Sequence, residues 1–287
     1  MAEKKIGFYG GKMLPLHIGH VFSILYSAAK CDELHVFLFI NTLNEEKLIS
    51  NSKFPKDLLQ PDIRELILKY EFEGYENIKL HTIDCKKYFK IDDKNKWDYS
   101  SQIVIDKAGC LPNVIFSNEI NQKEHFKILY PFADFELIDE DRTFFNISST
   151  KIREEGAFKN WDFLTKSYKS LCAKSIVILG NKTIKNKLIS DLTKLFNTSL
   201  IDDINCEETE IKKKILDARF NSNKIFFINS IDENDEKYIP FYNIHNYRFS
   251  INFTEDKIEK YKSINLTGEY DKVLKQGILR IKSILAD

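Results

Sequence analysis

An α/β fold built as two successive units, each a parallel doubly wound sheet, is what this sequence predicts. Two observations carry that expectation. Apolar strand-like runs alternate with segments of helical spacing along the whole chain, and the alternation starts afresh at SIVILG, residues 175–180. The length of 287 residues also exceeds one average domain, and two modest domains can each bury a core.

Residues 5–9 open as an apolar strand. Residues 19–30, GHVFSILYSAAK, place Val21, Phe22, Leu25, Ala28 and Ala29 at helical spacing, and 34–40, LHVFLFI, is a nearly continuous apolar run, as in a strand covered on both faces. This is a β-α-β unit. A helix is expected near 62–72 after Pro61, a strand at 78–84, a helix at 98–107 and a strand at 113–117. A short helix near 123–130, a strand at 135–139 and a helix opening at Ser148 complete the first unit. In such a sheet ligands bind beyond the carboxyl ends of the strands, where the strand order reverses. Residues 154–174 read as a helical connector, so the boundary falls near 172, giving units of 1–172 and 173–287. Beyond it lie the strand SIVILG, helices over 182–196 and 208–220, the strands KIFFIN and RFSINF, and a closing helix from about Tyr270.

Forty-three basic residues balance forty-three acidic ones. That neutrality removes the broad basic footprint of a nucleic-acid or membrane-surface binder, so neither is expected as a partner and any anionic ligand should be small. Five cysteines, at 31, 85, 110, 172 and 206, are odd in number and form no C-x-x-C pair, which argues against a disulfide framework or a structural zinc site. The start, MAEKKIGFYG, is charged and runs straight into a strand, and no apolar run approaches the ~20 residues of a membrane span. A soluble cytoplasmic protein is expected. Six arginines stand against thirty-seven lysines, which marks each arginine as a candidate for a site that needs a planar, multi-donor fork.

The chemistry concentrates in GGKMLPLHIGH, residues 10–20, between the first strand and the first helix. Gly10 and Gly11 let the chain turn with exposed amides, and a helix start with free N–H groups suits a phosphate. His17 and His20 are three residues apart and can point the same way, Gly19 leaves room between them, and Lys12 adds a mobile charge. Neither G-x-x-x-x-G-K-[ST] nor G-x-G-x-x-G spacing is present, so this is a polyphosphate cradle of another kind. A second cluster, DRTFFNISSTKIREEG at 141–156, lets Ser148 cap a helix whose first turn holds Ser149, Thr150 and Lys151, with Arg153 one turn in and Gly156 as a stop. Its two free hydroxyls, helix start and arginine make a second phosphate clamp.

These residues resemble the H-x-G-H nucleotidyltransferases, and GKMLPLHIGH, CDELHV, VIFSNE and DRTFFNISSTKIR are most similar to the nicotinamide-mononucleotide adenylyltransferase domain of NadR-type proteins, from about residue 5 to 175. The resemblance implies a Rossmann-like nucleotidyltransferase fold followed by a smaller P-loop-kinase-like domain. It implies that ATP, with Mg2+ on its phosphates and no protein metal site, meets nicotinamide mononucleotide and gives NAD and pyrophosphate. The attacking phosphate is already an anion, so positioning and charge stabilisation suffice. His17, His20, Lys12 and Arg153 would be catalytic. Gly10, Gly11, Ser148, Ser149, Thr150 and Ser117 would bind ATP, and Trp97, Asn41 and Asn118 the nicotinamide nucleotide. Met13 stands where the family usually has an aromatic, and Ser100 where it often has a second tryptophan. Arg64 and Arg142 are read as structural.

In the bifunctional members a kinase P-loop follows the connector. Here the turn reads ILGNKTIKNKL: Gly180 stands for the first glycine, but Lys185, Asn186 and Lys187 occupy the later glycine, lysine and hydroxyl positions, and Asn229 replaces an acidic magnesium partner. A degenerate kinase-like domain is expected, left with dimerisation into a homo-oligomer, stabilisation of the first unit or nucleotide sensing. Two other readings compete with adenylyl transfer to nicotinamide mononucleotide: an H-x-G-H transferase with another phosphorylated substrate, and a nucleotide-binding regulatory pseudoenzyme.

Overall fold

Because LHVFLFI is apolar but for His35, it can be covered on both faces, and it makes up most of β2 (Glu33–Ile40), with residues 34–38 all buried. The structure, a computed structural model, describes residues 4–88, 96–180, 182–202, 208–221, 224–229, 246–251 and 262–286. The chain divides into two compact units, Met1–Thr165 and Lys166–Asp287.

In the first unit β1 (Ile6–Gly11) leads through a loop to α1 (Ile18–Ala28), and β2 is followed by α2 (Glu45–Ser50) and α3 (Pro61–Glu71). Next come β3 (Ile78–Asp84), α4 (Lys96–Ala108), β4 (Val114–Ser117), α5 (Lys123–Leu129), β5 (Asp134–Leu137) and α6 (Ser149–Glu155). Pro61 sits at the start of α3, where its missing N–H has no helical partner to lose. The five strands pair in parallel in the order β3-β2-β1-β4-β5. The order reverses between β1 and β4, so the crevice lies beyond Gly11 and Ser117. One face is sealed by Phe8, Phe37, Ile83 and Ile115 packed with Val104 and Tyr130.

The first unit departs from the sequence expectation in two places. Gly10 and Gly11 do not turn: both belong to β1, in register with Phe37 and Leu38. The small residue at position 10 instead permits close strand packing, since a Cβ there would meet the Phe39 ring at 2.8 Å. The turn is made by buried Met13, whose φ of 46° puts a non-glycine residue in the left-handed region. The connector is not one helix either. Residues 156–165, between the end of α6 and α7 (Lys166–Cys172), form turns and a short 3₁₀ segment, and α7 belongs to the second unit.

That unit contains α7, β6 (Lys174–Gly180), α8 (Lys182–Phe196), β7 (Leu200–Asp202), α9 (Glu208–Asn221), β8 (Ile225–Asn229), β9 (Asn246–Ile251), β10 (Lys262–Leu266) and α10 (Tyr270–Ala286). Its sheet is parallel in the order β10-β9-β6-β8-β7. The period of two divides β6 between the faces. Ile176 and Ile178 pack with Leu188 and Leu192 of α8 and Val273, Ile281 and Ile284 of α10, while Val177 and Leu179 pack with Ile215 and Ala218 of α9.

Candidate active site

His17 is the N-cap of α1, in extended conformation, and its carbonyl accepts the His20 and Val21 amides at 2.9 and 3.1 Å. That start, with the two histidines three positions apart in sequence, brings the imidazoles together: the rings stack at 3.8 Å between centroids, 26° apart. The room at Gly19 is used by the site itself, since a Cβ there would lie 3.1 Å from His17 Nδ1 and 3.4 Å from Ile147 Cγ2. Both Nδ1 atoms are buried and have no hydrogen-bond partner among the described residues. Burial, then the neighbouring His20 and Arg142, hold the His17 pKa far below the usual imidazole value. Burial and then Arg142 push His20 down to about 4. Both rings are therefore neutral at physiological pH, each with one donor and one acceptor nitrogen.

The two sequence clusters meet. Ser149 Oγ donates to the Pro15 carbonyl at 2.9 Å, and buried Arg153 donates through Nη1 to the Leu14 carbonyl and through Nη2 to Thr150 Oγ1 at 3.1 Å. Ser148 caps α6 by accepting the Lys151 amide at 3.1 Å, and Gly156 ends the helix at φ 89°. The hydroxyls expected to be free are thus engaged: that of Ser149 holds the loop, and those of Ser148 and Thr150 accept from within α6. Burial lowers the Arg153 pKa, with Glu154 opposing. Lys12 is exposed at the crevice.

Of the other candidates, Ser117 is buried at the end of β4, donating to Gln122 Oε1 at 3.3 Å and accepting the Glu119 amide at 3.1 Å. Asn118 is a tie between elements: its Nδ2 donates to Ser23 Oγ and the Ile138 carbonyl at 3.0 and 2.8 Å, and its Oδ1 accepts the Tyr9 hydroxyl at 3.1 Å. Burial raises the Tyr9 pKa, leaving a neutral phenol that donates. Asn41 turns at the end of β2 with φ 52° and donates to Asp84 Oδ1 at 2.9 Å. The Trp97 side chain lies outside the described residues.

Two arginines that bear on the site were given no role in it from the sequence. Arg142, set aside as structural, has φ 52° in a turn where Asp139 Oδ1 accepts the Thr143 amide and hydroxyl at 2.7 Å, and it acts electrostatically on both histidines. Arg64 is 2% exposed, forms an ion pair with Glu45, and donates through Nη1 to the Lys12 carbonyl at 2.7 Å. The scarcity of arginine was the available signal for both.

In the second unit β6 ends at Gly180 and α8 begins at Lys182. Gly180 has φ 123°, and a Cβ there would come 2.6 Å from the Ile251 carbonyl oxygen. Lys185 is buried, and the Lys187 ammonium sits 3.9 Å over the Tyr270 ring, whose hydroxyl bonds Asp191. Asn229 is buried at the end of β8.

A parallel sheet that reverses its order beside this loop makes the first unit a Rossmann-like, doubly wound α/β unit, followed by a smaller α/β unit. The chain is similar in sequence to NadR proteins. It is 27% identical over 206 residues to the Trifunctional NAD biosynthesis/regulator protein NadR of Escherichia coli, covering 69% of this chain and 48% of that protein. The NadR of Salmonella typhimurium matches at 27% over 201 residues, with the same 69% and 48% shares. The chain therefore spans about half the length of these curated relatives. A NadR protein solved in complex with NAD and AMP-PNP has the same fold, with TM-score 0.66 and 18% identity over 99% of this chain and 97% of that one. A NadR protein in complex with NR gives 0.64 and 18% over 100% and 98%. No protein-family model matches the chain.

Proposed function

We propose that the first unit transfers the adenylyl group of ATP to nicotinamide mononucleotide, releasing NAD and pyrophosphate. A 5′-phosphate oxygen of the mononucleotide attacks the α-phosphorus, and the bond to the pyrophosphate oxygen breaks in line. No protein nucleophile or strong base is called for, because the attacking group is already an anion. Lys12 and Arg153 bring positive charge, and the neutral His17 and His20 bring ring N–H donors, to the α-phosphate and leaving group, where added negative charge is stabilised most in a site that excludes water. Gly10, Gly11, Ser117, Ser148, Ser149 and Thr150 border the ATP, and Asn41, Trp97 and Asn118 the nicotinamide nucleotide.

The observation that carries this reading is the bonding of α6 onto the β1–α1 loop, Ser149 to Pro15 and Arg153 to Leu14, beside the stacked histidines at the point where the strand order reverses. The ligands named for the solved relatives, NAD with AMP-PNP and NR, are of the class this reading requires. Magnesium, a hard cation that takes oxygen ligands, is assigned to the nucleotide phosphates, where it offsets their charge. Among the described residues no three His, Cys, Asp or Glu form a group that could hold a metal ion.

We assign no kinase activity to the second unit, which would serve self-association, stability or nucleotide sensing. A reducing, cytoplasmic setting suits the four described cysteines, all of them free, and no described helix is long and apolar enough to cross a membrane.

The test is to mix protein, ATP, magnesium and nicotinamide mononucleotide and to follow NAD and pyrophosphate. Turnover is expected, and His17→Ala or His20→Ala should lower kcat by about 10²–10³. Absence of turnover with both this substrate and its nicotinate analogue would sink the proposal.

A further inference from the structure

We propose that Arg64, held by Glu45, is a positioning residue for the first unit's site: it fixes the backbone at Lys12 and so sets where the loop between β1 and α1 presents its charge and amides. The inference rests on the proposed transfer reaction for its kinetic readout but not for its structural one.

The two side chains come from α3 and α2, far from GGKMLPLHIGH in sequence, and both are buried, Arg64 at 2% and Glu45 at 3%. Glu45 is itself anchored. Its Oε2 accepts the Thr42 amide and hydroxyl at 3.1 Å each, next to Asn41 at the end of β2, while its Oε1 pairs with Arg64 Nη2. The other arm of the fork, Nη1, reaches the Lys12 carbonyl at 2.7 Å. The loop is then held at three of four successive carbonyls: Lys12 by Arg64, Leu14 by Arg153 and Pro15 by Ser149. Met13, between the first two of these grips, sits at φ 46°, a conformation a non-glycine residue keeps only where its surroundings impose it.

Burying an ion pair is not in itself a route to stability, because desolvation offsets the attraction and apolar replacements often do as well. Here the pair has a further output, a planar guanidinium whose two arms serve a carboxylate and a carbonyl at once. A lysine ammonium cannot copy that geometry. Three carbonyls turned toward buried or anchored donors tie the loop down at three points between β1 and His17.

The experiment separates positioning from packing. The double variant Glu45→Leu/Arg64→Met removes both charges and the donor to Lys12 while keeping apolar bulk, and Arg64→Lys keeps a charge for Glu45 but loses the fork. Both are expected to lower kcat for NAD formation about 10- to 100-fold, with a smaller change in KM for ATP and a Tm near wild type for the double variant. A folded double variant with wild-type kcat and KM would overturn the inference. If that protein does not fold, an unchanged kcat in Arg64→Lys does the same. Hydrogen exchange of ligand-free protein gives the readout independent of catalysis: amides within residues 12–17 should exchange at least about tenfold faster in the variants. Should wild type show no transfer, the functional reading fails, while unchanged exchange in the variants overturns the positioning role by itself.

Discussion

Neither imidazole of the stacked pair can take a proton cheaply: burial removes water from the charged form of both, Arg142 opposes the new charge on both, and His20, its ring 3.8 Å away, also opposes it on His17. This has a consequence for stability. From pH 6.5 down to about 4 the unfolded chain protonates His20 and the folded chain does not, so stability falls with falling pH across that window and the His20 contribution levels off below it. Thermal melts of wild type and His20→Gln from pH 7.5 to 4 should show a shallower decline for the variant, and parallel declines would contradict the assigned environment. The pair was legible in the sequence because its residues are neighbours on one helix start. The grips on Lys12, Leu14 and Pro15 were not, since Arg64 and Arg153 lie 52 and 139 positions from the carbonyls they hold. Nothing local in the loop announces them. Even the glycines misled, because Gly10 serves strand packing and Met13 makes the turn.

At the scale of elements, strands and helices with strong period or continuity stood out, and α8 falls over the same residues that the helical spacing indicates. The elements that escaped are informative. In the second sheet they are β7 and β10, its two edges, one only three residues long and the other alternating Ser263 and Asn265 with apolar neighbours. An edge strand needs less cover and so carries a weaker apolar signal. In the first unit α2 was missed, a six-residue helix whose Glu45 faces inward. Helix α1 makes a sharper prediction. Gly19 has helical backbone, so Gly19→Ala should add helix propensity of up to about 1 kcal/mol. Its Cβ, however, would crowd His17 Nδ1 at 3.1 Å and move the ring. The expected result is a Tm equal to or above wild type with kcat for NAD formation down about tenfold, a split that tests whether ring placement rather than folding is what the glycine protects. An unchanged kcat would show that it is not.

For the molecule as a whole, two sheets of the same size and parallel kind carry opposite fates at the first strand-to-helix turn. In the first unit residues 12–17, six in all, lie between the end of β1 at Gly11 and the start of α1 at Ile18, and they form the gripped loop. In the second, β6 ends at Gly180 and α8 starts two numbers later at Lys182. A phosphate-wrapping loop requires a run of backbone amides between strand and helix, then a lysine free to reach the phosphate and a hydroxyl for magnesium. Here the candidate lysines sit inside the helix, Lys185 buried and Lys187 over Tyr270, and Gly180 is committed to a close approach by Ile251. Asn229, buried at the end of β8, carries no charge for a cation. The whole chain, given ribosylnicotinamide, ATP and magnesium, should therefore form no nicotinamide mononucleotide above background, while the same preparation given nicotinamide mononucleotide forms NAD. Phosphorylation of ribosylnicotinamide at an ordinary enzymatic rate would overturn the assignment, because it would require a phosphate site built on something other than this turn.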